Sequence, residues 1–587
     1  MTTTSSMSSA HKVQVPEVAH TLPESLYTQE QQQHSSTGFE QHQGEDAKLP
    51  ASEAFNPGLR FYLAFVSLCV MILMAALDAT SLSVALSDMA SALHGTAIEA
   101  FWAGTSFLLT STVFQPVIGS FSSIFGRKLL IFISLAFFGV GAIVAAVAKD
   151  GDGMAMVLIG RSIQGIGGGG AIVLAEILTT DLVPLRVRGN YQSMIGMMWA
   201  LGSVGGPLIG GVFAEKVTWR WIFWINLPFI GVGGVMIALF LNLAPLSGSL
   251  KAKLARIDLV GCVLFVGSTV GFLIPLTWGG VMYPWSSWRT LVPLLVSLAG
   301  LVAFIVWEEY YAKEPMIPFR VMKNRTAAIN YLGTFLHGLI LWCQLYYMPL
   351  YYEAVKHYTP IVSGVALFPM TFTVAPAAIA VGILVTVTGR YRWAIWIGWF
   401  LTTLGCGIQI LLDVTTSLPA WIFLTLVSGL GTGMLFPSTM FGVQAATPGK
   451  DIPSAVALFT FFRSFGQAVG VAIGGVIFQN QIKKQILSHP LIAAHANEWA
   501  ADSSALVQVI KNMPPGLERA LLVQSYADAL KIVWAVICGL AFLGLCTSLF
   551  TRHFSLDRPL ETDQGFVDGG GSGAAQRKAS DEDVEKR

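Results

Sequence analysis

The chain has 587 residues, 54% of them hydrophobic and 12% charged, and a net charge of +1. The charged share is about half the soluble norm, so a soluble globular protein is excluded and many membrane spans are expected. The near-zero net charge argues against a nucleic-acid partner, and the lipid bilayer is the expected surrounding.

Residues 1–58 are rich in Ser, Thr, Gln, Glu and His and contain no apolar run, which reads as a disordered cytosolic tail. Apolar runs then give six predicted spans at 61–86, 101–122, 129–148, 154–178, 191–213 and 221–243. Two more lie at 257–279 and 288–308, and six more at 326–350, 361–386, 391–411, 418–440, 453–478 and 530–550. Each is long enough to cross the hydrocarbon core. The predicted architecture is all-α, with fourteen spans arranged as a six-helix part at 59–245, two inserted helices at 246–310 and a second six-helix part at 311–552. Residues 479–529 form the only long outside loop, expected to hold short amphipathic helices at 504–511 and 517–529. Residues 553–587 read as a second cytosolic tail, with a glycine cluster at 569–573 and a short phosphosite-like match at Arg577–Ser580.

Glycines argue that the two six-helix parts are duplicates. Gly202, Gly206 and Gly210, with Pro207 and Gly211, recur without the proline as Gly466, Gly470, Gly474 and Gly475, 264 residues on. Gly165, Gly167 and Gly169 recur at 429, 431 and 433, and Gly119, Gly126 and Arg127 recur as Gly382, Gly389 and Arg390. Spacing of four puts glycines on one helix face, where a second backbone can approach closely. Parallel repeats of this kind mark secondary transporters.

Loop charge sets the orientation. Arg127, Lys128, Arg186, Arg188, Lys251, Lys253, Arg256, Arg320, Lys323, Arg325 and Arg390 fall in one set of loops, and few basic residues fall in the other. The first set is therefore expected in the cytosol, with both termini.

Ionisable residues inside spans are costly and are functional candidates. Asp78 in span 1 and Arg161 in span 4 fall at matching depth, about 10–12 Å below the outer surface at 1.5 Å per residue. Burial and a permanent cation pull a carboxyl's protonation in opposite directions, a balance that suits reversible protonation; the alternative is a purely structural pair. Arg463, near mid-membrane in span 13, reads either as a substrate-site charge or as an anchor to carbonyls. Gln164, Trp342, Gln344 and Tyr346 are candidate cavity residues, and packing is the competing reading. Glu176 and Asp258 lie near span ends. All six cysteines fall in apolar runs, so neither disulfides nor a metal site are expected. No phosphate-binding lysine loop or nucleophile elbow appears. No cofactor or enzyme chemistry is expected, and a gradient remains as the energy source.

These residues resemble the major facilitator superfamily, and within it the fourteen-span drug:proton antiporters, especially fungal exporters of toxins and fungicides. The resemblance covers about residues 60–550. It rests on Gly119–Lys128 between spans 2 and 3, Arg161–Gly167 in span 4, Gly202–Gly211 in span 5, Leu77–Thr80 in span 1 and Trp219–Pro228. It implies a proton-coupled exporter of amphipathic drugs, fungicides or toxins, working as a monomer in the plasma membrane. Asp78 and Arg161 would couple the proton; Gly119, Gly126, Arg127, Lys128, Gly202, Gly206, Pro207, Gly210 and Gly211 would serve conformational switching. Ser123 stands where the family usually has Asp, Ile124 where it often has Arg, and Ser83 where it usually has Asn. A vacuolar transporter of basic amino acids and a non-transporting sensor are the alternatives.

The topology is directly testable. Epitope tags at either terminus should resist external protease on intact cells, while a tag inserted beside Ser503 should be cut. Cleavage of a terminal tag would overturn the expected orientation.

Overall fold

The computed structural model describes residues 55, 57–149, 153–279, 282–500 and 503–567. Most of the expected N-terminal tail, the 569–573 glycine cluster and the Arg577–Ser580 match lie outside the described residues, as does the side chain of Ser83.

The first set of long helices is α1 (Leu59–Ala92), α2 (Ala97–Phe125), α3 (Arg127–Ala146), α4 (Gly153–Leu182), α5 (Arg188–Val212) and α6 (Trp221–Phe240). Two more follow, α7 (Leu259–Trp278) and α8 (Trp288–Tyr310). The second set is α9 (Arg325–Ala354), α10 (Ile361–Thr388), α11 (Arg392–Gln409), α12 (Leu418–Ala446), α13 (Ile452–Leu487) and α14 (Leu517–Ser548). Among the described residues, thirteen helices are long and apolar enough to span a membrane. The expected fourteenth, α11, misses that standard because its 18 residues include Arg392 and Gln409. It packs between α12 and α14 as α3 packs between α4 and α6.

The packing repeats across the chain. α1 lies along α5 as α9 lies along α13, and α2 lies along α4 as α10 lies along α12. The two sets meet through α5 with α10 and α2 with α13, an exchange-symmetric pair of contacts. Helices α7 and α8 pack on each other, and α7 rests on α2 and α13. The outer side of α8 exposes Leu295, Val296 and Val302, which water would penalise and lipid tails cover.

Glycines fix the closest approaches. A Cβ on Gly206 would run into the Thr80 hydroxyl and sit 3.0 Å from the Ser81 nitrogen, and one on Gly210 would strike the Ser81 carbonyl. Thr80 Oγ1 also donates to the Gly202 carbonyl at 3.0 Å. In the second set, Gly466 and Gly470 meet the Phe335 and Leu339 carbonyls of α9 in the same way. Gly126 ends α2 at φ 106°, and Gly389 ends α10 at φ 67°, a region that strains any other residue.

All the basic loops lie at one end of the bundle, called here the basic end. There the helix sets are in contact. A Cβ on Gly119 would come within 2.8 Å of Ala457 Cβ, and one on Gly189 within 2.5 Å of the Gly382 carbonyl. Arg186 donates to the Thr386 carbonyl at 2.8 Å, and Arg188 to Gln444 Oε1 at 2.8 Å.

Beyond α14 the chain crosses back over this end. Asp557 pairs with Arg186 at 2.7 Å, Thr562 Oγ1 donates to Asp181 at 2.8 Å, and Gln564 Oε1 accepts from the Arg127 amide at 2.9 Å. The Val567 amide donates to the Asn242 carbonyl at 3.0 Å. The segment expected as a free tail is thus a strap, carried on the second set and bonded to the first.

At the other end the expected outside loop is partly helix. α13 runs on to Leu487, a short helix spans Ser503–Asn512, and α14 begins at Leu517. The second expected amphipathic helix is therefore the first turns of α14. Leu506, Val507 and Ile510 are buried, and Lys511 pairs with Glu353 of α9 at 2.6 Å.

Gly206→Leu and Gly470→Leu should each force α5 from α1 or α13 from α9. Folded protein should still be recovered in reduced yield, but transport should fall to near background. Normal transport by both variants would show that these contacts do not govern function.

Candidate substrate and coupling site

Asp78 and Arg161 meet. Asp78 lies 19 residues into α1 and Arg161 eight residues into α4, which runs the opposite way. Arg161 Nη1 donates to Asp78 Oδ2 at 2.5 Å. The other carboxylate oxygen accepts from Gln164 Nε2 and from Asn226 Nδ2, each at 2.8 Å. Gln164 sits one turn below Arg161 on α4, so its Oε1 also accepts from Arg161 Nη1 at 2.8 Å. Arg161 Nε donates to the Ala103 carbonyl at 3.2 Å, and its plane lies 4.3 Å from the Phe107 ring centre. All four polar side chains are buried. A buried charge is tolerable when its partners are this complete.

A cavity of about 120 Å³ opens between the two helix sets. Phe107, Ile172 and Trp199 line it from the first set, and Trp342, Phe436 and Arg463 from the second. Among its described lining residues Arg463 alone is charged. Ala79, next to Asp78, is on this wall, and Phe107 is the ring that covers Arg161. The proton-site candidate is thus one side chain removed from the cavity.

The other expected residues fall in several places. Trp342 and Arg463 line the cavity. Gln164 binds Asp78 instead of facing the cavity. Gln344 is turned into the interior of the second set, bonding Gln409 and Ser428 at 2.8 and 2.7 Å. Tyr346 lies against Tyr347, outside the described lining. Arg127 pairs with Asp181 at 3.0 Å and bonds Ser122 Oγ at 2.9 Å, while Lys128 donates to the Ala238 carbonyl at 3.0 Å. Ser123 is exposed and bonds only back to the Ser120 carbonyl at 2.6 Å. Gly211 is buried within α5, and Pro207 is accommodated in that helix without ending it.

Depth matching alone did not single out Asn226, because its role depends on α6 lying beside α1. Nor did it pair Glu176 with Arg463, whose charged groups approach to 4.0 Å across the two sets. Their in-span charge was the available signal.

The Major Facilitator Superfamily model matches residues 68–385 and 330–482. A protein called MFS transporter L2, from Phoma sp., is 59% identical over 517 residues, covering 88% of this chain and 86% of that protein. The efflux pump FUS6 of Gibberella moniliformis is 37% identical, covering 88% of this chain and 92% of the relative. The MFS-type efflux pump LUC4 of Fusarium sp. is 36% identical, with 91% and 94% covered. In three dimensions the chain is similar to the human organic anion transporter MFSD10, at a TM-score of 0.53 and 16% identity, covering 84% of this chain and all of that one. That likeness concerns the fold.

Removing one member of a buried ion pair commonly costs about 3–5 kcal/mol. Arg161→Ala should therefore lower the thermal unfolding temperature in detergent more than Asp78→Asn, which keeps the shape and most hydrogen bonds. Adding Asp78→Asn to Arg161→Ala should restore part of the loss. A double variant no more stable than Arg161→Ala would show that the two charges are not coupled.

Proposed function

Because the chain belongs to the major facilitator superfamily, and is a multi-pass membrane transporter rather than an enzyme, we propose that it is a proton-coupled exporter of amphipathic, largely apolar small molecules. The observation that carries this reading is the placement of the Asp78 cluster directly behind the cavity wall. Protonation of Asp78 removes the charge that Arg161, Gln164 and Asn226 answer. The helices bearing those groups, α1, α4 and α6, are then free to shift against one another. Phe107 and Ala79 transmit such a shift to the cavity surface. Substrate and proton thereby bias one set of helices from two sides, which is what coupling requires.

Alternating access follows from the same arrangement. α1–α6 and α9–α14 move as two bodies, and the α2–α13 and α5–α10 seams open or close at either end. The basic end is the cytosolic one by the positive-inside rule, and it is the closed end of this conformation. The relatives named as efflux pumps support the outward direction. The cavity wall favours apolar cargo over basic amino acids, since none of its described lining residues is a carboxylate.

The test is substrate movement in proteoliposomes with an imposed pH gradient. The wild-type chain should accumulate a lipophilic dye against its gradient, and Asp78→Asn should lose that uphill movement while still binding the dye. Uphill movement by Asp78→Asn with unchanged pH dependence would mean that the proton passes elsewhere.

A further inference from the structure

Arg463 differs from Arg161 in one respect that bears on cargo. Both are buried arginines on transmembrane helices. Arg161 is met by a carboxylate at hydrogen-bond distance, an amide oxygen and a carbonyl. Arg463 has only Glu176, its Nη2 lying 4.0 Å from Glu176 Oε1. Among the described residues its Nη1 has no hydrogen-bond partner, and neither has Glu176 Oε2. Arg463 lines the cavity, whereas Glu176 lies behind it on α4. The guanidinium is held over the Phe436 ring at 4.4 Å and near the Phe459 ring at 5.7 Å. Ring faces partly balance a cation but leave its in-plane donors unused. Ser464 and Gln467, the next polar groups on that wall, also face the cavity.

We infer that Arg463 is the receptor for an acidic group on the cargo, which is therefore a largely apolar molecule carrying a carboxylate or comparable anion. The inference deepens the transport reading above and rests on it for the role of the cavity. An arginine is charged under all ordinary conditions. A buried one with unused donors is satisfied most fully by a planar anion that accepts two parallel hydrogen bonds. Glu176 is an incomplete substitute: it is a carboxyl group, but too far away for a hydrogen bond. A cargo carboxylate entering the cavity takes Arg463 from Glu176, while the aromatic lining of Phe107, Trp199 and Trp342 covers the apolar body. A cationic cargo would meet Arg463 as a like charge. Because Glu176 belongs to the first helix set and Arg463 to the second, cargo binding also replaces a tie across the seam.

The test is equilibrium binding to the purified full-length protein in detergent, with no gradient, using pyrenebutyric acid, its methyl ester and the corresponding amine as fluorescent probes. The acid should bind at least about tenfold more tightly than the ester, a difference of about 1.4 kcal/mol, and the amine most weakly. Arg463→Gln should abolish the preference for the acid, bringing acid and ester affinities to within about twofold of each other. Arg463→Lys should keep part of the preference, losing the bidentate geometry but not the charge. Glu176→Gln, which removes the competing carboxyl group, should tighten acid binding without changing ester binding. Acid and ester bound equally by the wild type, or an acid preference that survives Arg463→Gln, would overturn the inference. So would Glu176→Gln leaving acid affinity unchanged. Since binding needs no gradient, a wild-type chain that shows this binding pattern but no proton-driven movement would count against the coupling reading alone. Uphill export indifferent to Arg463→Gln would count against the inference alone.

Discussion

The constraint on which this structure depends is the cost of holding charge away from water. In a hydrocarbon interior an ion persists only if protein groups replace its hydration. The Asp78 cluster does this fully: one carboxylate accepts from an arginine and two amides drawn from α4 and α6. That requirement pins three helices of the first set to one point near the end opposite the basic loops. On the coupling reading proposed above it also makes the cluster responsive, because a proton on Asp78 would remove the charge that its three donors answer. A proton there alters the reason for the helices to sit as they do.

Close packing supplies the rigidity that turns such a local change into movement of a body. Apolar surface gives helices no preference for one another over lipid, so their association relies on close contact and hydrogen bonds. The glycine faces of α5 and α13 provide it, letting α1 and α9 lie backbone to backbone. The seams between sets are different in kind. At Gly189 the backbones also touch and Gly119 lies against the Ala457 side chain, but the surrounding bonds are from Arg186, Arg188 and the strap, and the Arg186–Asp557 pair among them stands where water can replace it. Strong contacts within each set and replaceable ones between sets are what a two-body transporter needs.

Much of this was legible in the residues. Apolar run length locates the helices, and the glycine offset of 264 links α5 with α13. Counting residues from span ends placed Asp78 and Arg161 at one depth because their helices stand side by side and run in opposite directions. The same counting missed Glu176 and Arg463. Glu176 lies six residues from the end of α4 and Arg463 eleven residues into α13. At 1.5 Å per residue that is about 9 and 16 Å from the basic end. The length of the arginine side chain narrows such a gap, and a depth count ignores it. Gln344 takes the packing reading rather than the cavity one, a choice left open because a polar residue in a span must face some partner, and the sequence does not say whether that partner is a cavity or a neighbouring helix. The strap was missed because it has no apolar pattern; its order comes from hydrogen bonds to groups distant in the chain.

The strap also gives the departure at Ser123 a structural setting. An acidic residue at that position would bring the basic end a charge that Ser123 lacks. Ser123 faces solvent and reaches no other helix. Yet the neighbouring groups are not left open. Gln564 of the strap accepts from the Arg127 amide and donates to the Ser122 carbonyl at 3.3 Å, and Thr562 reaches Asp181, the partner of Arg127. A segment that follows the second set thus bonds the loop between the first set's α2 and α3. The contact differs from a side-chain charge in an important way, since releasing it means peeling a length of chain rather than parting one ion pair. Contact at the basic end is therefore spread over several bonds rather than resting on one charged pair.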